Sequence, residues 1–85
     1  MEVHGIDMER AAYRVSFQSR GRTIRGLVPE ALVAEWLRRP GRPEHGDVYQ
    51  WIAAHRTKIE TALIRMTRGD TKIRAPYDQL SLVEE

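Results

Sequence analysis

Residues 13–28, which read YRVSFQSRGRTIRGLV, contain the pattern that decides the fold. Tyr13, Val15 and Phe17 alternate with polar residues, as in a strand with one buried face. A two-residue loop at Arg20 and Gly21 then predicts a β-hairpin. The predicted cross-strand pairs are Ser19 with Arg22, Phe17 with Ile24, Val15 with Gly26 and Tyr13 with Val28. This register places the apolar residues on one face, with Leu27 as the exception, and a shift of one residue would lose the match.

Two helices are predicted after the hairpin. Pro29 suits the first turn of a helix, so we expect a first helix over residues 31–39, which the PGRP run at residues 40–43 stops. A second helix is predicted over residues 48–68, with Asp47 as its N-cap and Gly69 as its C-terminal stop. Its apolar residues recur at intervals of three, four or seven and are Val48, Trp51, Ile52, Ile59, Leu63 and Met66.

The C-terminal residues predict one or two further short strands. Alternation occurs at residues 71–75 and again at residues 80–82. The chain is therefore expected to be a single α+β domain over residues 1–85, with order β-β-α-α-β(-β) and a loosely ordered segment at residues 1–11. Both helices are expected to pack on one face of a small antiparallel sheet. The expected core consists of Tyr13, Val15, Phe17, Ile24, Val28, Leu32, Trp36, Trp51, Ile52, Ile59, Leu63 and Met66.

The predicted second helix is long relative to the predicted sheet. Residues 48–68 would extend roughly 30 Å as a helix, at about 1.5 Å per residue. Strands of seven or so residues reach only about 23 Å. The end of this helix would therefore need the first helix or a second chain to cover it, which favours a homodimer.

Composition excludes several classes of protein. The 85 residues include no cysteine, so disulfides, thiolate metal sites and cysteine catalysis are excluded. No apolar run exceeds four residues, which is far too short to span a membrane. The first residues lack the basic and apolar regions of a signal peptide, so a cytoplasmic location is expected.

No catalytic, cofactor or metal site is predicted from the spacing of polar residues. His4, His45 and His55 lack the spacing that places two ligands on one helical face. His55 lies on the apolar stripe of the second helix and is expected to be partly buried with a local hydrogen bond. The serines lack a nucleophile elbow, and no glycine-rich phosphate-binding motif is present. We therefore expect a protein that is not an enzyme.

The arginines are the main candidates for binding. Twelve of the fourteen basic residues are arginine, and residues 14–42 contain seven arginines against two glutamates. Arginine suits bidentate contact with phosphate or carboxylate groups. The candidate residues for contact with an anion or with nucleic acid are Arg14, Arg20, Arg22, Arg25, Arg38, Arg39 and Arg42. The simpler alternative is a solvated sheet face, since Tyr13 and Phe17 lie on the opposite face and offer no stacking surface there.

Several short motifs follow one another in an order that resembles a known family. They are Val15-x-Phe17, Gly21 with Ile24, the LVPEAL run at residues 27–32, and Arg56-x-x-Ile59-Glu60-x-Ala62. The family consists of short bacterial proteins catalogued as domain of unknown function 1488. Val28 departs from it, because members tend to place a hydroxyl capping residue there, and so does the proline-rich insert at residues 39–43. The resemblance implies an α+β fold in the bacterial cytoplasm and supplies no catalytic residues.

Two functions remain open from the sequence. The leading hypothesis is a small non-enzymatic bacterial module for protein interaction or regulation, with an unidentified protein partner or a second copy of itself. The alternative is a nucleic-acid-binding protein that uses the arginine-rich hairpin face and the connection between the helices. No interaction with a membrane is expected.

Overall fold

A single antiparallel sheet with helices packed on one face forms the framework of the protein. The computed structural model describes residues 1–38, 41–70 and 72–83. Within them, the elements are β1 (Glu2–Asp7), β2 (Ala12–Ser19), β3 (Arg22–Pro29), α1 (Glu30–Leu37), α2 (His45–Ala54), α3 (Arg56–Thr67), a 3₁₀ turn (Tyr77–Gln79) and β4 (Ser81–Leu82). The strand order is β1-β2-β3-β4, with all neighbours antiparallel. The predicted α+β class is confirmed, although three strands rather than a hairpin precede the helices.

The hairpin of β2 and β3 has the predicted register. Phe17 pairs with Ile24, Val15 with Gly26 and Tyr13 with Val28, and Ser19 pairs with Arg22 beside the loop. Arg20 and Gly21 have φ angles of 52° and 78°. Positive φ at both loop residues is typical of the type I′ turn, whose twist matches that of the flanking strands.

Strand β1 lies in the segment for which the sequence predicts loose order, and that prediction is wrong for residues 2–7. Val3 pairs with Val15 and Ile6 with Tyr13, with a register shift between Val3 and Gly5. Because this bulge inserts one residue, Val3 and Ile6 both pack against the core although they are three positions apart. The spacing breaks the period-two alternation, which is why the sequence pattern does not indicate a strand.

The predicted single second helix is two helices, and the expectation that it extends beyond the sheet is wrong. α2 and α3 contain 10 and 12 residues and meet at His55, whose φ and ψ of −108° and 15° are not helical. The His55 ring stacks on Trp51 with 4.4 Å between centroids, and its Nδ1 lies 2.8 Å from the Trp51 carbonyl oxygen. At about 1.5 Å per residue in a helix and about 3.3 Å in a strand, both helices are shorter than the eight-residue strands β2 and β3. The lengths of these helices therefore give no support for a homodimer.

The helix ends differ from the predicted ends by a few residues. α2 begins at His45, so Asp47 lies in its first turn and is not the N-cap. α1 ends at Leu37, with Arg38 in the left-handed conformation, and Arg39 lies outside the described residues. Gly69 follows α3 with a φ of 78° and donates its N–H to the Met66 carbonyl, which confirms it as the stop signal.

One short C-terminal strand is present in the described residues, where the sequence left one or two open. Ser81 and Leu82 pair with Leu27 and Gly26, and the Val83 N–H donates to the Arg25 carbonyl. Residues 72–75 form no strand, and Thr71 lies outside the described residues. Ile73 and Tyr77 pack against the core, although neither belongs to a strand.

The core lies between the inner face of the sheet and the helices. Most of its expected members are buried, and Val33, Val48, Ala62 and Leu80 join them. Met66 is partly buried, and the prediction that Trp36 is a core residue is wrong, because half of its surface is exposed. Trp51 is buried, and its indole N–H has no hydrogen-bond partner among the described residues. None of the helices within the described ranges is long and apolar enough to cross a membrane.

Candidate functional site

The sheet face opposite the helices carries a groove of about 490 Å³. Residues that alternate with core residues along β2 and β3 point to this outer face, including Arg14, Arg25 and Leu27. We call the depression the sheet groove; its lining side chains are those of His4, Asp7, Arg10, Arg14, Arg25, Leu27 and Val83. Strand β1 and the turn after it form one wall, and β3 with the end of β4 forms the other.

Asp7 holds two arginines at the first wall of the sheet groove. Its Oδ2 lies 3.9 Å from Arg10 Nε and 3.7 Å from Arg14 Nη2. Its Oδ1 accepts hydrogen bonds from the backbone N–H groups of Glu9 and Arg10, at 3.1 and 3.3 Å. The Asp7 side chain is 17% exposed, whereas both guanidinium groups are more than half exposed. One carboxylate therefore faces two arginines, whose outer edges remain accessible.

The floor of the sheet groove is apolar. Leu27, the one apolar residue that the predicted register places on the outer face, is 7% exposed and lies opposite Arg14. Beside it, His4 in the β1 bulge bonds through Nε2 to the Ser16 hydroxyl at 2.6 Å. A pair of guanidinium groups above an apolar floor suits a carboxylate or phosphate carried on an apolar stem.

The predicted arginines lie at several separate places in the structure. Arg14 and Arg25 line the sheet groove together, whereas Arg20 and Arg22 are exposed at the loop of the hairpin. Arg38 lies at the end of α1, and Arg39 lies outside the described residues. Arg10 also lines the groove, but it was not predicted, because it falls in the segment expected to be loosely ordered.

Arg42 is engaged within the protein. Its Nε lies 3.1 and 3.3 Å from the two carboxylate oxygens of Glu30, and its Nη2 lies 2.9 Å from Oε1. Glu30 is 8% exposed, so this ion pair supplies a charge partner to a buried carboxylate. Hydrogen bonding to Glu30 and the charge of Glu30 raise the pKa of Arg42. Arg42 therefore anchors the connection between α1 and α2 and is not part of a free basic surface.

A tyrosine and a histidine anchor the same connection. The fully buried Tyr13 hydroxyl is hydrogen-bonded to Nδ1 of His45, the first residue of α2. Burial, and then the negative charge of Glu30, raise the pKa of Tyr13, which keeps this hydroxyl protonated near neutral pH. The hydrogen bond joins β2 to the first turn of α2.

The other histidines do not assemble a metal site within the described residues. No group of three or more histidine, aspartate and glutamate side chains there could hold a metal ion. His55 is partly buried and bonded to the Trp51 carbonyl, as its place on the apolar stripe predicts.

Comparison with known proteins gives no family for this chain. No protein-family model matches the chain, and the searches of curated proteins and of solved structures found no match to it. The resemblance to domain of unknown function 1488 stays a prediction. The fold and the sheet groove define a small α+β protein with one sheet face that the helices leave uncovered.

Proposed function

We propose that this protein is a small non-enzymatic interaction module that binds an acidic segment of a partner protein in the sheet groove. The observation that carries the proposal is the pair Arg10 and Arg14, which share the single carboxylate of Asp7 beside the apolar Leu27. A glutamate or aspartate side chain of the partner would bind the exposed edges of the guanidinium groups. A neighbouring apolar side chain would pack on the half-buried Val83, beside the floor that Leu27 forms. The bacterial cytoplasmic setting that the resemblance implies is part of the proposal.

An acidic protein suits the sheet groove better than a nucleic acid does. Single-stranded nucleic acids are bound through aromatic side chains on which the bases stack. The exposed aromatic residues of the described chain, Trp36 and Tyr49, lie on α1 and α2 and not on the outer sheet face. Arg20 and Arg22 at the hairpin loop could contact phosphates, so the test must separate the groove from the loop.

The test uses two matched double variants and two anionic probes. Arg10→Gln/Arg14→Gln alters the sheet groove, and Arg20→Gln/Arg22→Gln removes the same charge from the hairpin loop. Each ¹⁵N-labelled protein is titrated with a hexaglutamate peptide and with a six-nucleotide single-stranded DNA at about 20 mM salt, where charge interactions are weakly screened. We expect hexaglutamate to shift amide resonances around residues 4–14 and 25–27. Its affinity should fall tenfold or more in the groove variant and less than about twofold in the loop variant.

Three outcomes would overturn the proposal. Hexaglutamate could fail to bind the wild-type protein at low salt. The loop variant could lose as much affinity as the groove variant, which would indicate attraction to net charge alone. DNA could bind with a steep dependence on salt while hexaglutamate does not bind, which would favour the nucleic-acid function.

A further inference from the structure

Trp36 is a large apolar side chain held in place at the surface. It is 50% exposed, and its ring meets those of Trp51 and His55 edge-on, at centroid distances of 6.2 and 5.0 Å. These two contacts restrict the indole, so little side-chain entropy remains to be lost when a partner covers it. Restricted, half-exposed tryptophans are typical centres of protein interfaces.

A groove of about 480 Å³ lies beside Trp36, between α1 and the segment before the 3₁₀ turn. We call it the α1 groove; besides Trp36, it is lined by Leu32, Glu35, Arg38, Ala75, Pro76 and Gln79. Exposed Ala75 and half-buried Pro76 give it an apolar part, with the buried Leu32 beneath them. An exposed indole and an apolar depression therefore lie next to each other on one surface.

The charges of the α1 groove complement one another. Glu35 and Arg38 both line it, and neither forms an ion pair with another described residue. In a two-fold symmetric interface each contact occurs twice: if one residue of the first copy contacts a different residue of the second, the same pair also meets with the copies exchanged. A surface that carries one acidic and one basic residue can therefore form two equivalent ion pairs with a second copy of itself.

We propose that the α1 groove is the contact surface of a homodimer. Trp36 of each copy enters the α1 groove of the other and covers Ala75 and Pro76, and Glu35 of each copy faces Arg38 of the other. This surface is separate from the sheet groove, so the inference does not depend on the proposed acidic partner. We expect a weak, reversible dimer with a dissociation constant on the order of 100 μM.

Charge reversal and mixing test the dimer. Sedimentation velocity from about 10 μM to about 1 mM covers the range in which such a dimer forms. We expect the wild-type protein to associate, and Trp36→Ala to weaken association tenfold or more. In Glu35→Arg two arginines face each other wherever the wild-type dimer has an ion pair, and in Arg38→Glu two glutamates do. Each variant alone should therefore remain monomeric. An equimolar mixture of the two should form a heterodimer, because opposite charges meet again at both positions.

Two controls make the result specific. Circular dichroism shows whether each variant is folded, and the two charge variants keep the test valid if Trp36→Ala does not fold. Arg10→Gln/Arg14→Gln, which alters the sheet groove, should dimerise like the wild-type protein. A wild-type protein that stays monomeric at about 1 mM would overturn the inference. So would a dimer that the charge reversals leave unchanged, or a mixture of folded variants that fails to associate.

Discussion

At the scale of single residues, Gly26 shows how closely the sheet and α3 approach each other. A β-carbon at this position would lie 2.8 Å from both terminal methyl groups of Leu63 and 3.1 Å from the Ser81 carbonyl oxygen. Leu63 is fully buried, so its methyl groups can shift only if neighbouring core atoms move with them. The hairpin register predicts that Gly26 faces Val15, but the contact with Leu63 depends on where α3 packs.

Gly26→Ala tests this contact. We expect the substitution to lower the free energy of unfolding by about 1–3 kcal/mol, because an extra methyl group in a tightly packed core displaces its neighbours. Urea denaturation followed by circular dichroism measures the change. The matched control is Gly46→Ala in α2, where a β-carbon meets nothing within 4 Å. Alanine there should be neutral or stabilise the protein by up to about 1 kcal/mol, and equal effects at both positions would contradict the close approach.

At the scale of elements, a bulge in β1 and a break between α2 and α3 decide how the strands and helices pack. The bulge in β1 lets Val3 and Ile6 face the core together, and it also interrupts the free edge of the sheet. Bulges and charged residues on edge strands reduce unwanted pairing with other chains. Between α2 and α3, His55 interrupts what periodicity alone predicts as one helix. Apolar periodicity persists across such a break, because both helices present apolar faces to the same sheet.

The connection between α1 and α2 depends on the buried pair of Glu30 and Arg42. Arg42→Ala should lower Tm by several degrees at pH 7, because the buried carboxylate loses its charge partner. Glu30→Gln in the Arg42→Ala background should recover part of that loss, since a neutral amide is less costly to bury than an unpaired carboxylate. Thermal melts followed by circular dichroism measure both effects. Arg74→Ala, which removes an exposed arginine, is the control, and a similar drop in Tm for it would argue against the role of the ion pair.

At the scale of the whole molecule, stability should depend on alkaline pH. Burial raises the pKa of both Tyr13 and Tyr77 above the ordinary tyrosine value of 10.0. As pH rises past that value, the unfolded chain loses these protons before the folded chain does. The folded state then binds more protons than the unfolded state, so its stability falls with rising pH. Below about pH 9 both tyrosines are protonated in the folded and in the unfolded chain, so their full contribution to stability is present there.

Urea midpoints measured at about pH 8, pH 10 and pH 11 test this dependence. We expect the wild-type midpoint to fall at the two higher values, and the fall to be smaller in the Tyr13→Phe/Tyr77→Phe variant. That variant is expected to be less stable at pH 8, because Tyr13 loses its hydrogen bond to His45. The informative quantity is therefore the change in the urea midpoint per unit of pH. A slope equal to that of the wild-type protein would show that these two hydroxyls do not couple folding to pH.

The sequence by itself determined the features that depend on neighbours along the chain. Alternation around the glycine turn leaves one register that buries Tyr13, Val15 and Phe17. Apolar periodicity and the stop at Gly69 indicate the helical residues, although not the break at His55 between α2 and α3. Tertiary structure alone decided that Arg10 and Arg25 line one groove, that Arg42 pairs with buried Glu30, and that Trp36 remains exposed. These contacts join residues from different elements. The physical reason is that local patterns specify which face of an element is apolar, whereas the packing of elements decides which side chains from distant positions meet.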